Sequence, residues 1–442
     1  MLPHTQRPTR PQPIVLLVIL LVFFNGRHTF PQDERPSSGN IVAISGAKGH
    51  WGIVLNGRSF ELRGVGIGYA RGRDGTDYLA MARAMGANAI RTWGIRQGTL
   101  EYLDAAYKHG LYVDAGIWLN PAHEDGTYSY IHDEAYKRQV REETLRYVKE
   151  HRHHPAILFW NIGNETIYWT KREEERVAFC RFLDDLVREV HAIDPHHPVI
   201  YTSAFTTAVD YVKRYIPSLD AIGLNIYGGL EEAHQEVVSQ LNIPYVVSEF
   251  GPLGPWDRPK DVNGKPVDLT DVEKADYYEQ YATLIERYRG YGLGGFAFYL
   301  GETTQVSLTW WNLNDRQHPR LSFLTLAQAY TGRPIQNKPP VVFDLAVNKQ
   351  ANLHPGEAFE IRVRYREPEG EAVTFHYAAS TDRETSTLEE FPNQEVPLGV
   401  EGDGAVVTAN APTQPGIYRI YVVALDPHGL AGTLSATIHV KE

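Results

Sequence analysis

The stretch Ala156-Ile157-Leu158-Phe159-Trp160-Asn161-Ile162-Gly163-Asn164-Glu165 sets the fold. It opens as an unbroken apolar run, the pattern of a strand covered on both faces, and such strands belong to parallel sheets packed between helices. Within two residues the run then switches to Asn164 and Glu165. A second stretch, Pro244-Tyr245-Val246-Val247-Ser248-Glu249-Phe250-Gly251, repeats the arrangement and ends on Glu249. Two buried strands thus carry carboxylates at their C-terminal ends.

Outward from this pair, helical and strand patterns alternate. Strand Leu62–Ile67 follows a hairpin around the Asn56-Gly57 turn. Helix Tyr78–Met85 precedes strand Ala89–Trp93, helix Leu100–His109 precedes strand Tyr112–Trp118, and helix Glu134–Glu150 precedes strand Ile157–Ile162. Helix Glu173–Ile193 precedes Val199–Thr202, a short helix Thr207–Tyr215 precedes Ala221–Ile226, and helix Leu230–Leu241 precedes Tyr245–Val247. Helix Val272–Tyr288 precedes Gly294–Tyr299, and a last helix covers Leu321–Tyr330. Eight strands, each followed by a helix, predict an α/β fold of parallel strands closed as a (β/α)8 TIM barrel. The glycines of Gly64-Val65-Gly66-Ile67-Gly68 lack the spacing and following helix of a dinucleotide loop.

The pattern changes after a proline-bearing linker at 332–340. From 341 to 442, segments such as Ala358–Tyr365 and Gly416–Leu425 alternate apolar and polar residues between turn signals. About 100 residues of this kind suit an immunoglobulin-like β-sandwich. The domain reading is 1–40 signal or anchor, 41–331 barrel, 332–340 linker and 341–442 sandwich, the last a spacer or a carbohydrate- or protein-contacting module.

At the other end, Arg7 and Arg10 precede an apolar run from Ile14 to Phe24. A membrane span needs roughly 20 residues, so a basic start and a short run read as a secretory signal, with an uncleaved anchor as the alternative. Either places the folded part outside the cytoplasm. The 442 residues carry a formal net charge of −11, which disfavours nucleic acid and anionic membrane surfaces as partners. The single cysteine, Cys180, excludes an intrachain disulfide framework and a multi-cysteine zinc site; its helical spacing with Val177, Leu183 and Leu186 reads as a buried structural thiol. His151, His153, His154, His196 and His197 fall at the opposite rim from the carboxylates, where complementing helix C-termini explains them more simply than a metal.

In a barrel of this kind the site lies at the C-terminal strand ends. Arg91 and Trp93 close the second strand, Trp118 and Asn120 the third, Asn164 and Glu165 the fourth, Asn225 and Tyr227 the sixth, Glu249 the seventh, and Tyr299 and Glu302 the eighth. Strands four and seven are expected across the mouth from one another, with Glu165 and Glu249 facing each other.

The motif Trp160-Asn161-Ile162-Gly163-Asn164-Glu165 together with Ser248-Glu249-Phe250-Gly251 resembles the signature of clan A glycoside hydrolases, nearest the family 2 TIM barrel. Val54-Leu55-Asn56-Gly57 through Gly66, and Asn88-Ala89-Ile90-Arg91-Thr92, resemble that family's entry hairpin and second strand. The likeness covers about Ile53 to Tyr330. It implies a retaining β-glycosidase acting on oligo- or polysaccharide, with Glu165 as acid/base, Glu249 as nucleophile and no cofactor or metal. Asn164 is implied to bind the sugar 2-hydroxyl, Arg91 to orient the nucleophile and Tyr227 to hydrogen-bond it. Trp93, Trp118, Asn120 and Tyr299 are further candidates for substrate contact, with Trp169, Trp256 and Trp310-Trp311 as weaker sugar platforms. Two positions depart from the pattern: the clan often has Trp where Phe298-Tyr299-Leu300 ends strand eight, and Asn161 stands where many relatives have Ser. The alternatives are a β-glucan transglycosylase using the same residues and a noncatalytic carbohydrate-binding scaffold.

Overall fold

Eight parallel strands close on themselves in chain order in the computed structural model, which describes residues 39–303, 305–382 and 393–442. The apolar run Ile14–Phe24 lies outside the described residues. Among those described, no helix is long and apolar enough to cross a membrane.

The described chain enters through three antiparallel strands, β1 (Val42–Ser45), β2 (Gly52–Leu55) and β3 (Arg58–Phe60). The barrel strands are β4 (Leu62–Gly66), β5 (Ala89–Arg91), β6 (Tyr112–Ile117), β7 (Ile157–Asn164), β8 (Val199–Ala204), β9 (Ala221–Ile226), β10 (Tyr245–Phe250) and β11 (Gly292–Ala297). β11 pairs back to β4 and completes the ring. The helices between them are α1 (Tyr78–Met85), α2 (Leu100–Lys108), α3 (Glu134–His151), the single turn α4 (Thr166–Trp169), α5 (Glu173–Ile193), α6 (Val209–Tyr215), α7 (Leu230–Gln240) and α8 (Asp271–Arg287). A small hairpin, β12 (Asn314–Asp315) and β13 (His318–Pro319), precedes α9 (Leu321–Thr331). Asp77, Thr99, Asp133 and Thr270 start their helices by accepting a backbone N–H on the side chain.

Inside the ring the lower layer is apolar. Leu62, Ala89, Leu158, Ile200, Ala221, Val246, Leu293 and Phe296 form one cluster with Val42, Ile53 and Leu55 of the entry strands. The three-stranded sheet β1–β3 therefore plugs the lower end, and its first strand was not expected from sequence. Gly64 makes room for this layer, since a Cβ there would meet the Phe296 ring at 2.2 Å. Above it the interior turns polar: Asn161 Nδ2 donates to Asp114 Oδ2 at 2.9 Å, and the Thr202 hydroxyl donates to Asn161 Oδ1 at 3.0 Å. The larger apolar cluster lies outside the ring, between strands and helices, and includes Cys180.

Two strands run further than the apolar pattern predicts. β7 pairs with β8 as far as Asn164, and β10 continues through Glu249 to Phe250. The polar residues stay in the ladder because their side chains bond one another across the ring. β11 instead ends at Ala297, and Phe298-Tyr299 leave it.

The C-terminal part holds β14 (Val341–Val347), β15 (Ala358–Arg366), β16 (Thr374–Thr381), β17 (Glu395–Val396), β18 (Gly399–Glu401), β19 (Val406–Asn410), β20 (Gly416–Leu425) and β21 (Ala431–Val440). They form two four-stranded sheets with antiparallel pairing, β14-β15-β19-β18 and β17-β16-β20-β21. A single apolar cluster draws on both, including Ile361, Val363, Ile420 and Val422. β17 and β18 are too short to show an alternating pattern in sequence.

These sheets seat on barrel loops through buried polar contacts. Asp271, at the start of α8, accepts the Thr433 backbone N–H at 2.8 Å and pairs with the buried Arg320. Asp268 receives Lys274 Nζ at 2.8 Å and the Ser435 hydroxyl at 2.7 Å. The Leu308 N–H donates to the Tyr421 hydroxyl at 3.2 Å. The loops so held follow β10 and β11, at the end of the barrel where the glutamates stand.

Candidate active site

Glu165 follows the last residue of β7, and the chain must turn sharply to present it. Gly163 takes φ +89°, and Glu165 itself sits in the left-handed region at φ +56°. A non-glycine residue there costs on the order of 1–2 kcal/mol. The pairing of β7 with β8 slips between Asn161 and Asn164. Such a bulge rotates the following side chains relative to the regular alternation. The Glu165 backbone N–H is caught by the Thr202 carbonyl at 2.8 Å, which holds the turn.

β10 uses the same device. Its pairing with β9 slips between Val247 and Glu249. Glu249 is buried and meets three donors: Arg91 Nη1 at 2.6 Å and Trp93 Nε1 at 2.8 Å on Oε1, and the Tyr227 hydroxyl at 2.7 Å on Oε2. Burial and the Glu249 charge push the Tyr227 phenol well above its ordinary value, so it stays a proton donor.

The two glutamates do not face each other across a diameter. β8 and β9 separate β7 from β10 on the shorter arc, because chain-order closure puts strands four and seven three places apart in a ring of eight. Asn225 of β9 fills the interval. Its Nδ2 donates to Glu165 Oε1 at 2.7 Å and to Asn164 Oδ1 at 3.2 Å, and its Oδ1 lies 3.4 Å from Arg91 Nη1. Arg91 Nη2 donates to Asn164 Oδ1 at 2.7 Å. The buried guanidinium thus ties both strand ends together. Behind it, Arg91 Nε stands 3.7 Å from Asp114 Oδ2. Burial pushes the Asp114 carboxyl up to about 6, although Arg91 and Asn161 act against it.

Glu165 has fewer donors than Glu249. Among the described residues, only the Trp169 indole N–H reaches it besides Asn225, at 3.1 Å on Oε2. Burial and the Glu249 charge push its carboxyl up to about 7, and these two hydrogen bonds and Arg91 offset only part of the rise. The site therefore holds one carboxyl with a raised affinity for its proton and one gripped by three donors, the division of labour that acid/base chemistry needs.

Arg91, Trp93, Asn164, Glu165, Tyr227 and Glu249 converge on one constellation. Trp93 is read from sequence as a ring for substrate, and its indole N–H is committed to Glu249. Trp118 and Asn120 lie together at the rim, indole N–H to side-chain oxygen at 2.8 Å, with no hydrogen bond to either glutamate. Tyr299 is buried against Trp93, ring centres 5.6 Å apart, and its hydroxyl accepts the Gly68 N–H at 2.8 Å. Trp310 is fully buried and donates to the Leu253 carbonyl at 3.0 Å. Trp311 is buried against Tyr227, while Trp256 is exposed. Glu302 accepts from the Tyr78 hydroxyl at 3.1 Å. His197 pairs with Asp194 at 2.8 Å and His154 with Asp104 at 3.1 Å. Asn225, Asp114 and Trp169 were not singled out from sequence for these roles. Asn225 carried a signal, since it ends an apolar run as Asn164 does; Trp169 was read as a weaker sugar platform and its indole N–H instead reaches Glu165; Asp114 carried no signal.

Residues 52–253 match the family model described as glycosyl hydrolases family 2, TIM barrel domain. Over 176 residues the chain is 30% identical to a beta-glucuronidase of Bacteroides fragilis, a match covering 37% of this chain and 24% of that protein. The FMN-binding beta-glucuronidase from Facaelibacterium prausnitzii L2-6 is similar in structure at TM-score 0.51 and 18% identity, over 91% of this chain and 58% of that one. The beta-glucuronidase of Bacteroides uniformis is similar at TM-score 0.50 and 17% identity, over 91% and 48%. At such identities the structural likeness speaks for the fold alone, and the chain spans less than two thirds of the length of each of these relatives. The span matched by the family model contains Arg91, Asn164, Glu165, Asn225 and Glu249, so the residues gathered at the strand ends lie in the part of the chain that is similar to the family 2 TIM barrel domain.

Proposed function

We propose that this protein is a retaining β-glycosidase that cleaves O-glycosidic bonds by double displacement, with Glu249 as nucleophile and Glu165 as acid/base. The observation that carries the assignment is the asymmetry of the two carboxyls. Arg91, Trp93 and Tyr227 each donate a hydrogen bond to Glu249, which fixes its carboxyl oxygens in place for attack. Glu165 is pushed up to about 7 and keeps a proton to give near neutral pH.

In the first step a Glu249 oxygen attacks the anomeric carbon. The bond to the leaving oxygen breaks as Glu165 passes its proton to that oxygen. The product is a glycosyl ester on Glu249 and a carboxylate on Glu165. Burial still holds the Glu165 carboxyl up, but with the Glu249 charge consumed the second cause of the rise is gone, and Glu165 can act as a base. It then takes a proton from water, whose oxygen attacks the anomeric carbon and frees Glu249. Two inversions return the starting configuration. Arg91, Trp93 and Tyr227 orient Glu249 throughout. Asn164, whose oxygen is engaged by Arg91 and Asn225, has its amide hydrogens left for the sugar 2-hydroxyl.

The β-glucuronidase relatives and the family 2 barrel match support a glycosidase over a noncatalytic binder. We read the exported location from the basic-then-apolar N-terminal segment, and the two C-terminal sheets, which share one core, as an immunoglobulin-like sandwich. The test is turnover of a panel of aryl β-glycosides and β-glycans. Glu249→Ala should abolish product, and azide should restore it as a glycosyl azide of inverted configuration. Retention of full activity in Glu249→Ala overturns the assignment.

A further inference from the structure

The exposed Phe, Tyr and Trp rings of the barrel portion are gathered at one end. Among the described residues they are Tyr69 (59% exposed), Tyr168 (46%), Phe205 (37%) and Trp256 (66%). Each follows the C-terminal end of a barrel strand: β4, β7, β8 and β10 respectively. The other large exposed apolar residues of this portion, such as Ile41, Leu100 and Val262, are aliphatic. Leaving a large ring in water forgoes burial, and a cluster of such rings on one rim marks a binding surface.

Two of the rings stand one side chain away from the glutamates, on opposite members of the pair. Trp256 meets Tyr227 edge-on with ring centres 6.2 Å apart, and Tyr227 donates to Glu249. Tyr168 meets Trp169 edge-on at 5.1 Å, and Trp169 donates to Glu165. A third, Phe205, takes φ +46° and rests on the glycine turn after β9, where a Cβ on Gly229 would meet its ring at 3.3 Å.

The chemistry gives each side a meaning. The sugar attacked by Glu249 is the glycone, and the oxygen protonated by Glu165 belongs to the aglycone. Rings beyond both carboxylates thus offer apolar faces to sugars on both sides of the bond being cut. A pocket admitting a single terminal sugar has no use for a platform beyond the nucleophile. A formal charge of −11 disfavours a polyanionic chain.

We propose that the mouth binds a neutral β-linked polysaccharide along its length, with Trp256 as a platform on the glycone side and Tyr168 on the aglycone side, and that cleavage is internal to the chain. The inference rests on the glycosidase reading of Glu165 and Glu249. The experiment therefore follows two substrates at once: aryl β-glycosides, which need the glutamates and the groups that hold them but no extended chain of sugars, and neutral β-glucans and β-mannans, followed by viscosity, reducing ends and product size. Internal cleavage lowers viscosity sharply while few reducing ends have formed, and releases oligosaccharides first. Tyr168→Ala and Trp256→Ala should each lower the ratio of polymer kcat/KM to aryl-glycoside kcat/KM by about 10-fold, mainly through KM, in line with the contribution of one stacked ring. Both positions are exposed, and an unchanged Tm checks that the variants fold. Turnover of aryl glycosides with polymer trimmed only as single sugars, or with that ratio unmoved in both variants, overturns the inference and leaves the glycosidase reading standing. No turnover of either substrate class overturns both.

Discussion

Asn225 Nδ2 stands 2.7 Å from Glu165 Oε1, and the oxygen of the same amide lies 3.4 Å from Arg91, whose guanidinium grips Glu249. One neutral side chain from the intervening strand therefore touches the surroundings of both carboxyls. It donates to Glu165, which favours the anion and holds down a carboxyl that burial pushes up.

Replacing that amide should move the pH profile. Glu165 must be protonated to act as acid, so kcat/KM is expected to fall about tenfold per pH unit above about 7. Asn225→Ala removes a hydrogen bond to the charged form, and the alkaline limb should move upward by about one unit. The rate at the optimum should drop about 10- to 100-fold, since Arg91 and Asn164 lose a partner. A pH profile of kcat/KM for wild type and variant checks both. An unmoved limb sinks the linkage.

The raised Glu165 carboxyl has a stability consequence of definite sign. From the ordinary 4.5 it is pushed to about 7 in the fold. Between these values the native state holds a proton that the unfolded chain has lost. Its stabilising contribution is complete below about 4.5 and is lost as pH rises through about 7. Glu165→Gln does not titrate. Its urea midpoint relative to wild type should climb between pH 4.5 and 7, level off above, and exceed wild type at pH 8. A difference that stays flat with pH contradicts the raised value.

Trp93 distinguishes a ring from a hydrogen bond. Its indole donates to Glu249 at 2.8 Å and its ring packs on Phe298 and Tyr299. Trp93→Phe keeps an aromatic ring in that packing and removes the donor. We expect kcat/KM on an aryl glycoside to fall about 10-fold or more, the worth of one hydrogen bond to a charged group. Full activity in the Phe variant would return Trp93 to a stacking role.

Asp271 joins the barrel to the C-terminal sheets. Asp271→Ala leaves Arg320 buried without its carboxylate and Thr433 without its acceptor. Breaking such a pair from one side costs about 3–5 kcal/mol. All eight tryptophans lie between Trp51 and Trp311, so tryptophan fluorescence reports the barrel and far-ultraviolet dichroism the whole chain. Both should lose stability together in the variant. A fluorescence transition left in place while the dichroism shifts means that the sheets unfold apart from the barrel.

Much of this architecture was legible along the chain. Helices Tyr78–Met85 and Glu173–Ile193 and strand Ala221–Ile226 fall where periodicity predicts. Largely apolar runs that give way to Asn164, Asn225 and Glu249 mark the working ends of three strands. The edge strands β17 and β18, and the entry strand β1, were not legible, because a few residues carry no period.

What the sequence determined by itself is the succession of buried strands and amphipathic helices, and the polar residues at the strand ends. Those are local properties: they follow from which side chains neighbour one another along the chain. The tertiary structure alone decided which polar end meets which. The slips before Glu165 and Glu249, the left-handed turn at Glu165 and the placement of Asn225 between them depend on ring closure and inter-strand register. A slip of one residue turns a strand's side chains to the other face. No pattern within a strand encodes its register against a neighbour tens of residues away. The commitment of Trp93 to Glu249, and of Asp271 to Thr433, arises from such long-range contacts.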